Sequence, residues 1–126
     1  MDLLGRVKAA WPAGGRWEWD ASFGCVLTTV NQATAPAGRA ALTGAMSGTW
    51  TRKTLDQAPV PIQQLCGRTG GLRGEQMVAA TALGNAVAYA LWWPWGDGTT
   101  VSVRIGCASA DAGENLVPSL RAAFGV

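Results

Sequence analysis

Residues 77–95 read MVAATALGNAVAYALWWPW, a run that contains no charged side chain. Gly84-Asn85 divides the run, and this dipeptide matches the glycine-first preference of a two-residue type II′ hairpin loop. Apolar residues alternate on both sides of the loop, a pattern that indicates strands. We therefore predict two paired strands. The predicted cross-strand pairs are Ala82 with Val87, Ala80 with Tyr89 and Val78 with Leu91.

The same run is long enough to cross a bilayer, and its tryptophans lie at one end, as aromatic residues do at a membrane interface. However, the run is rich in alanine and only moderately hydrophobic, and Gly84-Asn85 lies at its centre. We therefore favour the hairpin over a transmembrane helix and expect no membrane partner.

A second hairpin is predicted where Gly96-Asp97-Gly98 follows the run, because aspartate between glycines is a turn former. A three-residue loop that ends in a left-handed glycine is a common hairpin form. Such a loop pairs Trp95 with Thr99, Trp93 with Val101, Leu91 with Val103, Tyr89 with Ile105 and Val87 with Cys107. All the large apolar side chains then share one face, whereas a two-residue loop would split them between the faces. In the chosen register Trp92 lies on the outer face with Arg104.

Two further strands are predicted nearer the N-terminus. Residues 17–27 alternate between apolar and polar side chains, which describes one long half-buried strand bent at Gly24. A second strand is predicted near residues 41–55, because large apolar residues recur there at even positions, namely Leu42, Met46 and Trp50.

Three short helices are also predicted. The first begins after Asp2 and stops at Pro12. The second begins near Pro61 and is ended by Gly70-Gly71. The third covers the C-terminal segment from about residue 116 to residue 124.

These elements describe residues 1–126 as a single α+β domain in the order α-β-β-α-β-β-β-α. The expected architecture is a two-layer sandwich, in which one antiparallel sheet of about five strands carries about three short helices on one face. This order resembles that of roadblock and longin-type domains and, more loosely, that of profilin and small secretion-chaperone folds. The likeness is one of topology, with no shared motif. Roadblock-like domains are mostly non-catalytic dimers and scaffolds for small GTPases, so the resemblance implies a protein partner.

The composition favours a chain whose surface is partly covered by a partner. Charged residues make up 14% of the 126 residues and the net charge is +2, while 48% of the residues are hydrophobic. A surface with so few charges favours self-association or a protein partner. The lysines and arginines are scattered rather than clustered, so we expect no nucleic-acid partner.

The absence of histidine excludes several chemistries. Because the chain contains no histidine, a Ser-His-Asp or Cys-His nucleophile and a histidine-ligated zinc site are impossible within one subunit type. Gly67-Arg68-Thr69-Gly70-Gly71 lacks the lysine and hydroxyl residue that end a phosphate-binding loop, so we interpret it as a helix stop. We predict no cofactor and no metal ion.

The cysteines indicate a reducing compartment. Cys25, Cys66 and Cys107 are far apart in the sequence and form no CxxC pair, which is typical of neither a disulfide framework nor a zinc site. Each lies on an apolar face and is expected to be buried. Because the N-terminal residues also show no signal-peptide pattern, we expect a cytoplasmic protein.

One acid pair stays open as a catalytic or metal-binding candidate. Glu18 and Asp20 lie two residues apart on one strand face, close enough for each to perturb the ionisation of the other. The alternative, which we favour, is a solvated strand face beside Arg16.

The functional hypothesis depends on the tryptophans, because the chain has 7 of them. We predict a small non-enzymatic interaction module, an adaptor, scaffold, chaperone or regulatory subunit that binds a protein partner or a second copy of itself. The predicted interface residues are Trp92, Arg104, Trp50 and Arg52. The alternative is a small-molecule binding domain with an aromatic pocket between sheet and helices. That pocket would be lined by Trp17, Trp19, Tyr89 and Trp93.

Overall fold

The computed structural model describes residues 2–12, 16–83, 86–109 and 117–126. Its strands are β1 (Glu18–Asp20), β2 (Cys25–Asn31), β3 (Gly48–Thr51), β4 (Met77–Leu83), β5 (Ala86–Pro94) and β6 (Thr100–Ser109). Its α-helices are α1 (Asp2–Ala10), α2 (Ala35–Ala45), α3 (Val60–Arg68) and α4 (Val117–Phe124), and Leu55–Gln57 form a short 3-10 helix. All neighbouring strands are antiparallel, and the strands form one six-stranded sheet in the order β1-β2-β6-β5-β4-β3.

Helices cover both faces of this sheet. On the first face, apolar residues of α1, α2 and α4 share one core cluster with Val26, Trp92 and Ile105. On the second face, α3 packs in a separate cluster with Tyr89 and Leu91. The α+β class is confirmed, but the predicted two-layer arrangement is wrong, because α3 makes a third layer.

The N-terminal strand prediction is wrong in one respect, since residues 17–27 do not form a single strand. β1 and β2 form a hairpin in which Glu18 lies opposite Leu27. The Asp20 carboxylate accepts hydrogen bonds from the backbone N–H groups of Ser22 at 3.0 Å and Phe23 at 3.4 Å. Gly24 has a φ of 63°, the left-handed conformation that favours glycine. The predicted bend is therefore a full reversal of the chain.

The strand predicted near residues 41–55 is mostly a helix. Leu42 is fully buried in α2 and Met46 lies just past its end, and only the short β3 follows them. A spacing of four residues fits both the period of a strand and the period of a helix, so these two residues could not distinguish them. The extra helix and the hairpin of β1 and β2 change the predicted element order, and the roadblock-like topology is not confirmed.

The hairpin of β4 and β5 is confirmed. Ala82 lies opposite Val87, Ala80 opposite Tyr89 and Val78 opposite Leu91. Gly84 and Asn85, predicted as its type II′ loop, lie outside the described residues. The uncharged run 77–95 therefore supplies two strands, and no helix in the described part of the chain is long and apolar enough to cross a membrane.

The predicted register of β5 and β6 is wrong by one residue. Trp92 lies opposite Val103, and Trp93 lies opposite Ser102. Trp95 N–H donates to the Thr100 carbonyl at 2.8 Å, which closes a loop of residues 96–99. This pairing is the one that a two-residue loop would give, and it splits the apolar residues between the two faces. It is favourable here because both faces of β5 are buried.

Asp97 holds this loop, as predicted. Its carboxylate accepts hydrogen bonds from the backbone N–H groups of Thr99 at 2.9 Å and Thr100 at 3.0 Å, and from the Thr100 hydroxyl at 3.1 Å. These bonds, of which the one from Thr99 has the largest effect, lower the pKa of Asp97 below its usual range. Gly98 follows with a φ of 75°.

We predict that Gly106→Ala destabilises the protein by about 1–3 kcal/mol, because a Cβ there would lie 2.5 Å from the hydroxyl oxygen of the buried Tyr89, whose ring covers Gly106. Gly44→Ala is the matched control. Gly44 lies in α2 with no atom near its added Cβ, so we expect a gain of up to about 1 kcal/mol. Urea unfolding of both variants measures the free energies, and an unchanged stability of Gly106→Ala would contradict the predicted clash.

Candidate functional site

Part of the second sheet face has no described helix above it. The cluster under α3 draws mainly on β4 and β5 and contains no residue of β2. Beside that cluster, Leu27 and Ser102 are half-buried and Thr29 is exposed. We call the side chains that cover this region the aromatic-arginine surface, and they are Phe23, Trp93, Trp95, Ser102 and Arg104.

Arg104 lies at the centre of this surface. Its guanidinium carbon is 4.8 Å from the centroid of the Phe23 ring and 4.7 Å from that of the Trp93 ring. The two rings are 6.0 Å apart in an edge-to-face arrangement. Arg104 Nε donates to Asp20 Oδ2 at 3.2 Å, and the side chains of Arg104 and Asp20 are 15% and 12% exposed. Cation–π contacts on two rings and a partly buried ion pair therefore fix the guanidinium.

Two aromatic side chains at the edge of the surface remain open to solvent. Phe23 is 44% exposed and Trp95 is 50% exposed. The Trp95 indole N–H donates to Ser102 Oγ at 2.6 Å, so the ring is oriented although half of it is exposed. The surface therefore combines exposed apolar area with ordered side chains.

The predicted interface residues separate in the structure. Trp92 is 4% exposed and packs in the first-face core, so the prediction that Trp92 shares the outer face with Arg104 is wrong. The one-residue shift of register places Trp93 beside Arg104 instead. Trp50 and Arg52 belong to β3 and the turn after it, at the opposite edge of the sheet from β1, with Trp50 half-buried and Arg52 exposed. They lie apart from the aromatic-arginine surface.

The predicted aromatic pocket does not form as one site. Trp17 and Trp19 pack against the first-face core, where Trp17 lies 4.5 Å from the Phe124 ring and Arg121 stacks 4.8 Å from the Trp19 ring. Tyr89 and Trp93 lie on the second face. The sheet itself separates the two pairs, so these four side chains cannot line one pocket.

The acid pair has a structural use in the fold. Asp20 bonds to Arg104 and to the turn at Ser22, while Glu18 is exposed. Among the described residues, no group of His, Cys, Asp or Glu side chains could hold a metal ion.

The cysteine thiols are poor nucleophiles in this fold. Burial, with a smaller contribution from the nearby Asp20 carboxylate, raises the pKa of Cys25 to about 12. Burial alone raises the pKa of Cys107 to about 11, and it also raises the pKa of Cys66. All three are free, and the thiolate that reacts is disfavoured at neutral pH.

No protein-family model, curated protein or solved structure matches this chain. The functional interpretation therefore depends on the geometry of the chain itself.

The sequence prediction identified Arg104 but missed Phe23, Trp95 and Ser102. One signal was available in the sequence. Residues 86–92 are apolar at odd and at even positions, which indicates a strand buried on both faces. With that strand at the centre, the register that splits the tryptophans between the faces becomes acceptable. Phe23 carried no comparable signal, because its place depends on the turn between β1 and β2.

We predict that Arg104→Lys destabilises the protein by about 1–2 kcal/mol, because a compact ammonium cannot stack on two rings while it bonds to Asp20. Arg52→Lys, at an exposed position, is the control and should change stability by less than about 0.5 kcal/mol. Chemical denaturation measures both, and equal effects of the two substitutions would refute the stacking argument.

Alkaline pH should weaken the fold. The thiols of the unfolded chain ionise near pH 9.0, whereas the folded chain keeps Cys25 and Cys107 protonated to about 12 and about 11. The unfolded state therefore loses protons first, and stability falls as pH rises above 9.0, by up to about 1.4 kcal/mol per pH unit for each thiol. Urea unfolding between about pH 7 and about pH 10 tests this, with Cys107→Ala expected to show a shallower fall. A pH-independent stability would be the contrary result.

Proposed function

We propose that this chain is a small non-enzymatic protein-interaction module and that the aromatic-arginine surface is its contact surface. One observation carries the proposal: Arg104 is fixed between the rings of Phe23 and Trp93, while Phe23 and Trp95 stay 44% and 50% exposed beside it. The partner is a protein surface with an apolar centre, either a second copy of this chain or another protein.

The composition of the surface supports this proposal. Tryptophan and arginine are enriched among the residues that carry most of the binding energy in protein interfaces. The Phe23 and Trp95 rings supply apolar area, and the region around them carries few charges because Asp20 neutralises Arg104. A neutral aromatic surface of this kind favours a protein partner over nucleic acid, whose phosphates select clustered positive charge.

The order of the side chains also supports binding. Freezing a long side chain at an interface costs about 0.5–1.5 kcal/mol. The two rings and Asp20 already hold Arg104, and Ser102 already holds the Trp95 indole. A partner would therefore meet an ordered surface, with little of this cost left to its own binding energy.

The chemistry of the described residues supports a non-enzymatic role. The chain has no histidine, and burial keeps its thiols protonated. The acid pair of Glu18 and Asp20 is divided between solvent and Arg104. The free thiols also fit a reducing compartment, and we place the protein in the cytoplasm.

We predict that Phe23→Ser weakens association at least about tenfold, because it removes exposed apolar area from the proposed contact surface without opening the core. Val60→Ser is the matched control, since Val60 is 62% exposed on α3, outside the surface. Sedimentation velocity over a range of concentrations measures self-association of the full chain and of both variants. Equal weakening by the two substitutions would contradict the assignment of this surface.

If sedimentation shows only a monomer, a second experiment tests for a different protein as the partner. A photo-crosslinking phenylalanine analogue is placed at position 23 in one sample and at position 60 in the other, and both are expressed in the native host. The proposal requires a discrete adduct from position 23 alone, and binding of the purified partner that Phe23→Ser weakens. A monomer that gives no adduct specific to position 23 overturns it.

A further inference from the structure

A groove of about 610 Å³ opens on the first face of the sheet, between the first turns of α2 and the end of the hairpin of β5 and β6. Small-molecule sites have volumes of about 300–1,000 Å³ and mostly apolar walls. Pro36, Trp92, Pro94 and Val101 supply apolar walls here, and Trp95 lies at the rim. The groove thus has the size and the lining of a ligand site, and it is separate from the cluster under α3.

The nearly buried side chain of Trp92 lines this groove. Trp92 is 4% exposed, and its indole N–H donates to no other residue in the described part of the chain. The indole N–H groups of Trp11 and Trp93 are sealed from solvent, whereas solvent reaches the indole N–H of Trp92. A nearly buried tryptophan usually pairs its N–H with an acceptor. A bound molecule with an oxygen acceptor would supply that bond.

Positive charge lies on the α2 side of the groove. Arg39 is exposed on the groove wall and forms no ion pair within the described residues. The Thr34 side chain, at the N-cap of α2, makes no capping bond to the helix and bonds to Asn31 instead. The helix therefore begins without a side-chain cap or an acidic residue in its first turn, and its amide end favours a negative group.

Glu75 limits the charge that the groove accepts. It is the one carboxylate among the groove-lining residues, and it lies in the segment that precedes β4. A second negative charge on the ligand would meet this carboxylate without an added cation to offset it. The lining therefore suits a ligand with one negative group, placed toward Arg39, and an apolar body.

We propose that this groove binds a small organic monoanion, a carboxylate attached to a flat apolar ring system. The carboxylate bonds to Arg39 and the Trp92 indole N–H beside the amino end of α2, and the ring lies against Pro36 and Pro94. This site is independent of the aromatic-arginine surface, apart from Trp95, which both share.

The test uses the ¹⁵N-labelled full chain and 2-naphthoate as the probe. We expect saturable shifts of the Trp92 indole N–H and of the Ala35 and Ala37 amides in ¹⁵N–¹H spectra. The neutral 2-naphthamide should bind at least about tenfold more weakly, as should naphthalene-2,6-dicarboxylate, because the first lacks the charge and the second adds one. Arg39→Gln should weaken 2-naphthoate binding by a similar factor.

Arg52→Gln is the matched control, because Arg52 is exposed on the far side of β4 from the groove, and it should leave binding unchanged. Three outcomes overturn the proposal: no saturable shift at millimolar probe, equal binding of 2-naphthoate and 2-naphthamide, or full binding by Arg39→Gln. Shifts confined to Phe23 and Trp93 would also overturn it. None of these results bears on Phe23→Ser, so the two proposals fail separately.

Discussion

The burial of residues 86–92 of β5 on both faces of the sheet is the constraint on which the rest of this structure depends. Every residue from Ala86 to Trp92 is buried, and β4 and β6 pair with the strand on its two sides. Alanines at positions 88 and 90 on the first face leave room for the helices, while larger side chains at 87, 89 and 91 fill the second face. The two core clusters therefore meet across β5 and across its neighbour β4, whose residues Met77 and Ala79 belong to the first cluster and Val78 and Ala80 to the second. A polar side chain at any of these positions would be buried without water, which is costly unless it finds a partner.

The position of Arg104 follows from this arrangement. Along β6, Val101, Val103 and Ile105 face the first core, so Ser102, Arg104 and Gly106 must face the other way. Above Gly106 the Tyr89 ring fills the space that a side chain would occupy. Farther along the strand no described helix covers the sheet, and Arg104 lies there between apolar rings. Asp20 reaches it because the turn between β1 and β2 folds over the sheet. The ion pair thus ties an edge hairpin to the central strands.

The end of the hairpin of β5 and β6 supplies both candidate binding surfaces. Consecutive residues of a strand point to opposite faces, so Trp92 lines the first-face groove while Trp93 stacks on Arg104. Trp95 lies beyond the last buried residue, and its ring borders both regions. A cluster of tryptophans in the sequence therefore became two separate sites. The Asp97 loop fixes this division, because one residue more or less in the turn would exchange the faces.

The sequence by itself determined the α+β class, the hairpin of β4 and β5 with its register, the turn at Asp97 and the burial of Cys25 and Cys66. These features are local, because alternation, turn residues and helix stops act over a few neighbouring positions. Tertiary structure decided the face of each tryptophan and the partner of Arg104. Alternation identifies an inner face only when the other face meets water, and β5 has apolar residues at both parities. Its register therefore also depends on the helices that pack on its two faces, with α1, α2 and α4 on the first face and α3 on the second. The pairing of Arg104 with Asp20 likewise depends on the order of strands in the sheet, which no local pattern records.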